Sequence, residues 1–365
     1  MVSNSKRNII DEHHFNLADN STTLPNMVTS VTHFQQESST YLPALNSSTS
    51  MFKIVFIFKS LFSYPDDSYN YPKLSMSASW SADAITIGQI GDLGNTFSNL
   101  FINTNDVMYV ASFSYGRVQV WNLNEANSSK ILIDNLLRPS SIFVAENGDI
   151  FIATGYIYYN VMKWSSSSPN GIPVMYVTRP CTRLFVDRNN TLYCSIAELH
   201  QVVARSLNNE SDATRIVAGT GCAGSGSVNL YNPRGILVDA KFSLYVADCS
   251  NKRVQRFSYG EMNATTVVGN GASNTASLSC PTDIVFDADD NLFIVDSGQN
   301  RIFGPGSEGF RCVVGCFGSG STPSQLSNPQ SMSFDSHGNI FVVDTNNKRL
   351  QKFILVHNSC GKFIK

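Results

Sequence analysis

The chain has 365 residues, a charged fraction of 15% and a formal charge of −2 at neutral pH. This balance leaves no basic domain or stripe of the kind that nucleic-acid-binding proteins use against phosphates. The length allows two or three ordinary domains, but a repeat architecture can use all of it for one domain.

Residues 1–80 show no repeat and no sustained periodicity. Residues 1–50 are rich in Ser, Thr and Asn, which predicts a disordered, low-complexity region. The apolar segment 51–62, MFKIVFIFKSLF, is shorter than the roughly 20 apolar residues that cross a bilayer. It fits the core of a signal peptide, a membrane-surface anchor, or a buried strand or linker. Residues 63–79 contain Pro65 and Pro72 and are predicted to form a linker. We expect the folded domain to cover residues 81–357.

A repeated pattern organises the rest of the chain. In its clear copies an apolar burst runs to Asp, and a second burst ends on another Asp, with Arg five residues later. The clear copies are 232–257, 280–303 and 328–353, and weaker copies are 97–121, 138–164 and 179–205. The copies open at residues 97, 139, 180, 233, 281 and 329, in steps of 41 to 53 residues. A period of this length with strand patterns alone predicts an all-β, six-bladed β-propeller.

Each copy resolves into four antiparallel strands, which in the fourth copy are predicted at 235–238, 244–247, 253–257 and 265–268. The inner two strands are apolar runs, as expected for strands that are covered on both faces. The sixth copy stops after its third strand, whereas a strand-like run at 84–88 precedes the first copy. We therefore expect residues 84–88 to pair with 349–355 and to close the ring as the last strand of the sixth blade.

The motifs NP-x-G-I-x-V-D, L-Y-V-A-D and N-x-R-V-Q-x-F of these copies resemble the NHL repeat. The resemblance covers about residues 84–355 and is strongest in the last three copies. The first three copies depart from it at the Asp and Arg positions, which hold Ser112 and Arg117, Thr154 and Asn160, and Ile196 and Gln201. The resemblance implies a propeller that acts as a non-catalytic binding scaffold. Two alternatives stay open: an intracellular adaptor of the tripartite-motif type, which recognises RNA or a ubiquitin-ligase substrate, and a divergent propeller lyase or hydrolase.

The recurring Asp and Arg suggest either a ring of charged ligands or ties within each blade. The pairs are Asp248/Arg253, Asp296/Arg301 and Asp344/Arg349. We favour the structural interpretation, because residues that recur in every repeat mostly serve the repeat, and an Arg fork on a carboxylate holds a turn in place.

Binding sites in propellers lie in the loops that differ between blades. Three long loops, 219–232, 269–280 and 315–328, are rich in Gly and Ser and are expected on the surface that also carries the loops between second and third strands. The candidate binding residues there are aromatic in the first two blades and cationic on the opposite arc: Phe113, Tyr115, Tyr156, Tyr158, Tyr159, Lys252 and Lys348. They suit a protein, peptide or glycan ligand, unless some of the tyrosines plug the central channel.

The sequence of the propeller region contains no recognisable combination of catalytic residues. Its histidines, His200, His337 and His357, have no metal-ligand spacing. We therefore expect no enzyme activity and no cofactor or metal. A tripartite-motif protein would need an upstream Cys/His zinc cluster, and residues 1–80 contain no Cys.

The eight cysteines and six sequons bear on the compartment. Cys222 and Cys249 are expected on neighbouring loops, so they can pair, whereas an extended strand would hold Cys312 and Cys316 too far apart for a disulfide. Sequons occur at Asn20, Asn46, Asn127, Asn189, Asn209 and Asn263. We expect a monomeric glycoprotein that is secreted or membrane-tethered, with membrane contact through 51–62; a cytoplasmic protein is the alternative.

Overall fold

The structure is a computed structural model that describes residues 69–89, 97–125, 129–155, 159–165, 168–209, 211–273 and 275–359. All of them fall in one unit of the chain, Tyr64–Lys365. The predicted disordered region 1–50 and the apolar segment 51–62 lie outside the described residues. No helix in the described ranges is long and apolar enough to cross a membrane.

Six four-stranded antiparallel sheets form the blades of a propeller. Blade one contains β3 (Phe97–Ile102), β4 (Val107–Ser112), β5 (Arg117–Asn122) and β6 (Ser129–Ile133). Blade two contains β7 (Ser141–Val144), β8 (Ile150–Thr154), β9 (Asn160–Ser165) and β10 (Ser168–Tyr176). Blade three contains β11 (Arg183–Val186), β12 (Thr191–Ile196), β13 (Gln201–Ser206) and β14 (Arg215–Ala218).

The last three blades follow the strong copies of the repeat. Blade four contains β15 (Pro233–Val238), β16 (Leu244–Asp248), β17 (Arg253–Phe257) and β18 (Ala264–Gly269). Blade five contains β19 (Pro281–Phe286), β20 (Leu292–Asp296), β21 (Arg301–Gly306) and β22 (Gly309–Val314). Blade six contains β23 (Pro329–Phe334), β24 (Ile340–Asp344), β25 (Arg349–Phe353) and, from the N-terminal side, β2 (Ile85–Gln89). Outside the blades, β1 (Ser79–Trp80) pairs with β26 (Leu355–His357), and 3₁₀ turns lie at Ala197–Leu199, Cys249–Asn251 and Ser297–Gln299.

The inner strands are covered on both faces, because every blade packs between two others. All residues of β19, β20 and β24 are buried. The outer strands are more open, and the first two residues of β14 are exposed. This gradient explains the apolar runs of the first two strands in each repeat and confirms the six-bladed, all-β prediction.

Two contacts close the ring. The innermost strands touch one another in chain order, and β23 of blade six packs against β3 of blade one. In addition, β2 pairs with β25 from Ile85 opposite Lys352 to Gln89 opposite Arg349. The predicted closure by residues 84–88 is therefore confirmed. Each of the six blades therefore has four strands, and the free edge of its innermost strand faces the central channel.

The propeller has a top surface and a bottom surface. The top surface carries the loops between second and third strands and the loops between successive blades. The bottom surface carries the turns between first and second strands. The turns between third and fourth strands lie at the same end of each blade, nearer its outer edge.

The central channel is filled by side chains. Each innermost strand contributes one residue at the same register, and these six residues are Asn99, Ser141, Arg183, Gly235, Asp283 and Ser331. On the bottom side of this ring, the Tyr69 side chain packs against Phe101, Phe143 and Phe185, with ring centroids 4.8, 5.4 and 5.6 Å apart. The channel is therefore not an open pore.

The segment before β2 packs on the propeller and does not behave as a linker. Leu74, Ala78 and Trp80 are buried, and the Trp80 indole donates a 2.8 Å hydrogen bond to the Gly338 carbonyl. The expected boundary at residue 81 thus lies inside the packed region, which includes residues 69–80. Their apolar side chains cover the bottom of the channel and of blades five and six.

Among the seven cysteines that the structure describes, three pairs are disulfide-bonded: Cys181–Cys194, Cys249–Cys280 and Cys312–Cys316. The expectation that Cys312 and Cys316 are too far apart is wrong, because β22 ends at Val314 and the chain turns at Gly315, where φ is +73°. Their Cα atoms are 5.9 Å apart. The Cys222–Cys249 pairing is also wrong. Cys249 instead joins blade four to Cys280 before blade five, while Cys222 is a free, exposed thiol.

Candidate functional site

The long top loops of blades four and six are anchored rather than mobile. Loop 219–232 folds on itself through an Ala223–Leu230 bridge, and loop 315–328 repeats this through Ser319 and Leu326. Leu230 and Leu326 are both 0% exposed. Each loop is therefore anchored by one buried leucine, while the rest of the loop is rich in Gly and Ser.

Arg253 fastens the first of these loops to its blade. Its Nε donates to Asp248 Oδ2 at 2.8 Å, and its two Nη groups donate to the carbonyls of Ser225, Gly226 and Asn229 at 2.7 to 3.1 Å. Burial raises the pKa of Asp248, and the Arg253 guanidinium opposes that rise. The pair thus ties a strand, a turn and a loop together, as the structural interpretation expects.

Arg349 repeats this arrangement in blade six. Its Nε donates to Asp344 Oδ2 at 2.8 Å, and its Nη groups donate to the carbonyls of Ser321, Thr322 and Gln325 at 2.9 Å. The same geometry in two blades shows that the repeated Asp and Arg position the top loops. They do not form a ring of ligand-binding charges there.

Blade five departs from the pattern. Arg301 donates to Gln299 Oε1 and stacks on the Phe303 ring at 3.9 Å, and Asp296 instead accepts the backbone N–H groups of Ser279 and Cys280. The expected Asp296–Arg301 hydrogen bond is therefore wrong. The preceding loop, 269–280, is two residues shorter than loop 219–232 and ends on a disulfide-bonded cysteine. The described part of this loop therefore does not present its carbonyls to Arg301 as loops 219–232 and 315–328 do to Arg253 and Arg349.

The predicted aromatic residues of blade one lie on the top surface and carry arginine partners. Phe113 and Tyr115, in the loop between β4 and β5, are 36% and 46% exposed. The Arg138 guanidinium lies 5.6 Å from the Phe113 ring centroid, and that of Arg117 lies 4.6 Å from the Tyr115 ring centroid. These stacked pairs combine apolar area with positive charge at an exposed position.

A path of backbone contacts connects this loop to blade two. The Leu136 N–H donates to the Gly116 carbonyl at 2.6 Å, and the Gly155 N–H donates to the Leu137 carbonyl at 3.0 Å. Tyr159 packs against Gly155, leaving no room for a Cβ there. Its half-buried side chain therefore continues the surface that begins at Phe113.

The surface extends to the outer strand of blade two, because Tyr176 pairs with Asn160 at the top end of β10. Leu137 is 58% exposed and Tyr176 is 66% exposed. We call the set of Phe113, Tyr115, Leu137, Tyr159 and Tyr176 the aromatic belt. Sequence reasoning missed Leu137 and Tyr176, since they lie between repeats and carry no periodic signal. Tyr156 and Tyr158 lie outside the described residues.

Lys252 and Lys348 lie on the top surface but apart from the aromatic belt, in blades four and six. Both occupy the left-handed turn before the third strand, with φ of 60° and 54°. His200 and Asn300 hold the same turn in blades three and five. The structure therefore places Phe113, Tyr115 and Tyr159 in blades one and two and leaves the two lysines on the other arc.

A half-buried arginine lies at the top mouth of the channel. Arg234 precedes the ring position Gly235 in β15, and its Nη1 donates to Gln330 Oε1 across the mouth at 3.4 Å. Burial lowers the pKa of Arg234. Next to it in the channel, Arg183 forms a buried ion pair with Asp283, with a nitrogen–oxygen distance of 3.0 Å. Neither arginine was singled out from the sequence.

The histidines of the propeller lie in separate places. His200 Nδ1 accepts the Asn232 N–H at 3.1 Å on the top surface, and His337 lies 3.9 Å from Asp106 on the bottom. His357 ends the small outer sheet. Across the described ranges, no three His, Cys, Asp or Glu side chains gather as a set of metal ligands.

The comparisons with known proteins agree with this architecture. The family model "NHL repeat" matches residues 326–353. A virginiamycin B lyase from Staphylococcus aureus is 9% identical with a TM-score of 0.53, over 75% of this chain and 99% of that one. A gluconolactonase from Xanthomonas campestris is 11% identical with a TM-score of 0.54, over 78% and 98%. An auxiliary nutrient binding protein from Bacteroides ovatus is 12% identical with a TM-score of 0.57, over 80% and 76%.

A search of curated proteins finds no match. The identities to solved structures are low, so these likenesses show the fold alone, and that fold is used for binding and for catalysis. The family match falls on the copy that forms the end of loop 315–328 and β23 to β25. The protein is a six-bladed β-propeller that carries an NHL repeat at residues 326–353.

Proposed function

We propose that the protein is a binding scaffold that recognises a polypeptide partner through the aromatic belt on its top surface. The observation that carries this proposal is the exposure of Phe113, Tyr115, Leu137 and Tyr176 across blades one and two, with arginines stacked on the first two. Protein interfaces are enriched in aromatic residues and Arg, which supply most of the binding energy from a few positions.

The neighbouring structure is suited to present such a surface. Blade two beneath it has buried inner strands, and the loops of the belt are tied to each other by the backbone hydrogen bonds from Leu136 to Gly116 and from Gly155 to Leu137. A rigid surface loses little conformational entropy on binding. The scaffold therefore supports recognition by a preformed top surface.

The sequons support an extracellular or membrane-tethered protein whose top surface stays free. Asn189, Asn209 and Asn263 are exposed and lie in turns between first and second or third and fourth strands. Asn263 Oδ1 accepts the Ser227 hydroxyl of loop 219–232 at 3.2 Å, so a glycan there would adjoin blade four, away from the aromatic belt of blades one and two. The other three sequons, at Asn20, Asn46 and Asn127, lie outside the described residues. Three disulfides are typical of an oxidising compartment.

The proposal is tested by panning a phage-displayed library of randomised peptides against the full chain. Recovered peptides should bind the wild type and lose about tenfold or more in affinity with Phe113→Ala or Tyr115→Ala. Ile216→Ala is the matched control, because Ile216 is exposed to a similar degree on the outer strand β14. Peptides that bind all variants alike would show that the aromatic belt is not the recognition surface.

A glycan array provides the second arm of this experiment. Failure to recover peptides, together with oligosaccharide binding that depends on Phe113 and Tyr115, would retain the surface but overturn the polypeptide as ligand. Failure of both arms would overturn recognition by this surface altogether.

A further inference from the structure

We propose that the top mouth of the channel holds a carboxylate of the bound polypeptide, with the Arg234 guanidinium as its anchor. This inference rests on the proposed function, since it places an acidic residue or chain end of the same partner on the top surface that also carries the aromatic belt. It assigns a role to a residue that the repeat pattern and the loop ties leave unexplained.

Arg234 differs from Arg183, Arg253 and Arg349 in the partners of its Nη groups. Arg253 and Arg349 each donate to one carboxylate and three carbonyls, and Arg183 donates to Asp283 and Ser331. In contrast, the guanidinium of Arg234 makes one 3.4 Å hydrogen bond to a neutral amide oxygen. Its Nε is buried and meets no acceptor among the described residues.

The mouth around Arg234 lacks a compensating negative charge. No carboxylate within the described ranges lies at ion-pair distance from its guanidinium, and Asp283, in the adjoining ring, is already neutralised by Arg183. The facing side of the mouth is neutral: Gln330 Nε2 donates to Asn328 Oδ1 at 2.8 Å and to Ser297 Oγ at 3.2 Å. An unpaired cation in a half-buried position favours the binding of an anion.

The Arg234 backbone is held in place before any ligand arrives. The Ser195 hydroxyl of blade three donates to the Arg234 carbonyl at 2.5 Å. The next residue, Gly235, packs so closely on blade five that an added Cβ would lie 2.6 Å from the Asp283 Cα. The guanidinium is therefore presented from a fixed strand, and such preorganisation lowers the cost of binding.

The chemistry of the mouth favours a carboxylate on a single side chain or chain end. A guanidinium carries five N–H donors in a planar fork that matches the two oxygens of a carboxylate, and only one donor of Arg234 is engaged. The Arg183–Asp283 pair and the Tyr69 plug close the channel beyond it. A ligand can therefore place an acidic group in the mouth but cannot thread the channel.

The test uses sodium acetate as the probe, exchanged for sodium chloride at constant ionic strength, with thermal unfolding of the full chain as the readout. The wild type should show a saturable rise in Tm, and the apparent acetate affinity of Arg234→Gln should fall by about tenfold or more. Arg215→Gln, which removes the same charge from an exposed site on β14, should behave as the wild type. An equal acetate effect in all three proteins would overturn the proposal.

A second measurement separates a ligand-binding arginine from a structural one. In chloride, Arg234→Gln should unfold at the same Tm as the wild type or above it, because the variant no longer buries an unpaired charge. A Tm as low as that of Arg253→Ala would assign Arg234 to the framework and overturn the proposal.

The recovered peptides distinguish this inference from the proposed function. Acidic peptides that lose about tenfold in affinity with Arg234→Gln would support both. Peptides that depend on Phe113 but not on Arg234 would overturn the carboxylate site and leave the belt intact. An acetate site at Arg234 without any recovered peptide would retain the anion site and overturn the polypeptide partner.

Discussion

Arg183 and Asp283 meet in the channel of the propeller, where Nη2 of the arginine lies 3.0 Å from Oδ2 of the aspartate. They come from blades three and five and are 5% and 1% exposed. The same aspartate oxygen accepts the Ser331 hydroxyl and the Met332 N–H of blade six. One ion pair therefore links three blades across the axis.

This pair predicts a large effect of Asp283→Ala. The substitution leaves the Arg183 charge buried without its partner, and we expect the free energy of unfolding to fall by about 3–5 kcal/mol. Denaturant titration measures the loss. The double variant Arg183→Met/Asp283→Ala should recover part of it, because no charge then remains to be buried. A double variant less stable than Asp283→Ala alone would contradict this account.

The arginines of the repeat should differ in their contribution to stability. Arg253→Ala leaves the buried Asp248 unpaired and releases three loop carbonyls, so a loss of about 3 kcal/mol is expected. Arg301→Ala removes a contact to Gln299, a stacking interaction and a charge attraction to Asp296 that involves no hydrogen bond, so a smaller loss of about 1 kcal/mol is expected. Parallel denaturation curves compare them. Equal losses would show that Arg301 also ties its blade.

Asp296 predicts how stability depends on pH. Burial raises its pKa, and the N–H groups of Ser279 and Cys280 offset this only in part. A carboxyl whose pKa is higher in the folded than in the unfolded state stabilises the fold in its neutral form. The stability of the wild type relative to Asp296→Asn should therefore grow as pH falls from neutrality through the raised pKa. This gain in relative stability should reach its full size below the pKa of the carboxyl group in the unfolded chain, about 4. Unfolding curves recorded at a series of pH values measure it. If the stability of the wild type relative to Asp296→Asn instead falls on acidification, the prediction is contradicted.

The cysteine pairing can be checked by peptide mapping without reductant. The expected bonds are Cys181–Cys194, Cys249–Cys280 and Cys312–Cys316, and Cys222 should react with a thiol reagent in the folded protein. The double variant Cys249→Ser/Cys280→Ser loses a link between blades four and five and should be about 2–4 kcal/mol less stable. Protein purified from its own cells with all of these thiols reduced would contradict the extracellular assignment.

The framework of the fold follows from the sequence because it repeats. The strands of blade four, for example, were predicted within two residues of their observed ends, since an apolar run flanked by turns has few alternatives. Closure by residues 84–88 followed from a missing strand at one end and a spare strand at the other.

The features that the sequence did not reveal are those that occur once. Tyr69 enters the channel from a segment with no repeat signal, and Arg234 takes a position where the other blades carry neutral residues. The Cys312–Cys316 bond depends on a turn at Gly315 that strand periodicity does not show. The aromatic belt was found only in part, because the contacts that connect Phe113 to Tyr159 pass through loop backbone.

A glycan placed on the top surface tests recognition by the aromatic belt most directly. Leu137→Thr completes a sequon at the exposed Asn135, next to the aromatic belt, and the protein would be expressed through a glycosylating secretory pathway. We predict that the glycosylated variant loses the peptides recovered by panning. Enzymatic deglycosylation should restore binding to the level of Leu137→Ala, which lacks the same belt side chain but gains no sequon. Asn189→Gln, which removes a sequon from the bottom surface, should bind as the wild type does. Undiminished peptide binding with a glycan at Asn135 would contradict recognition by the aromatic belt.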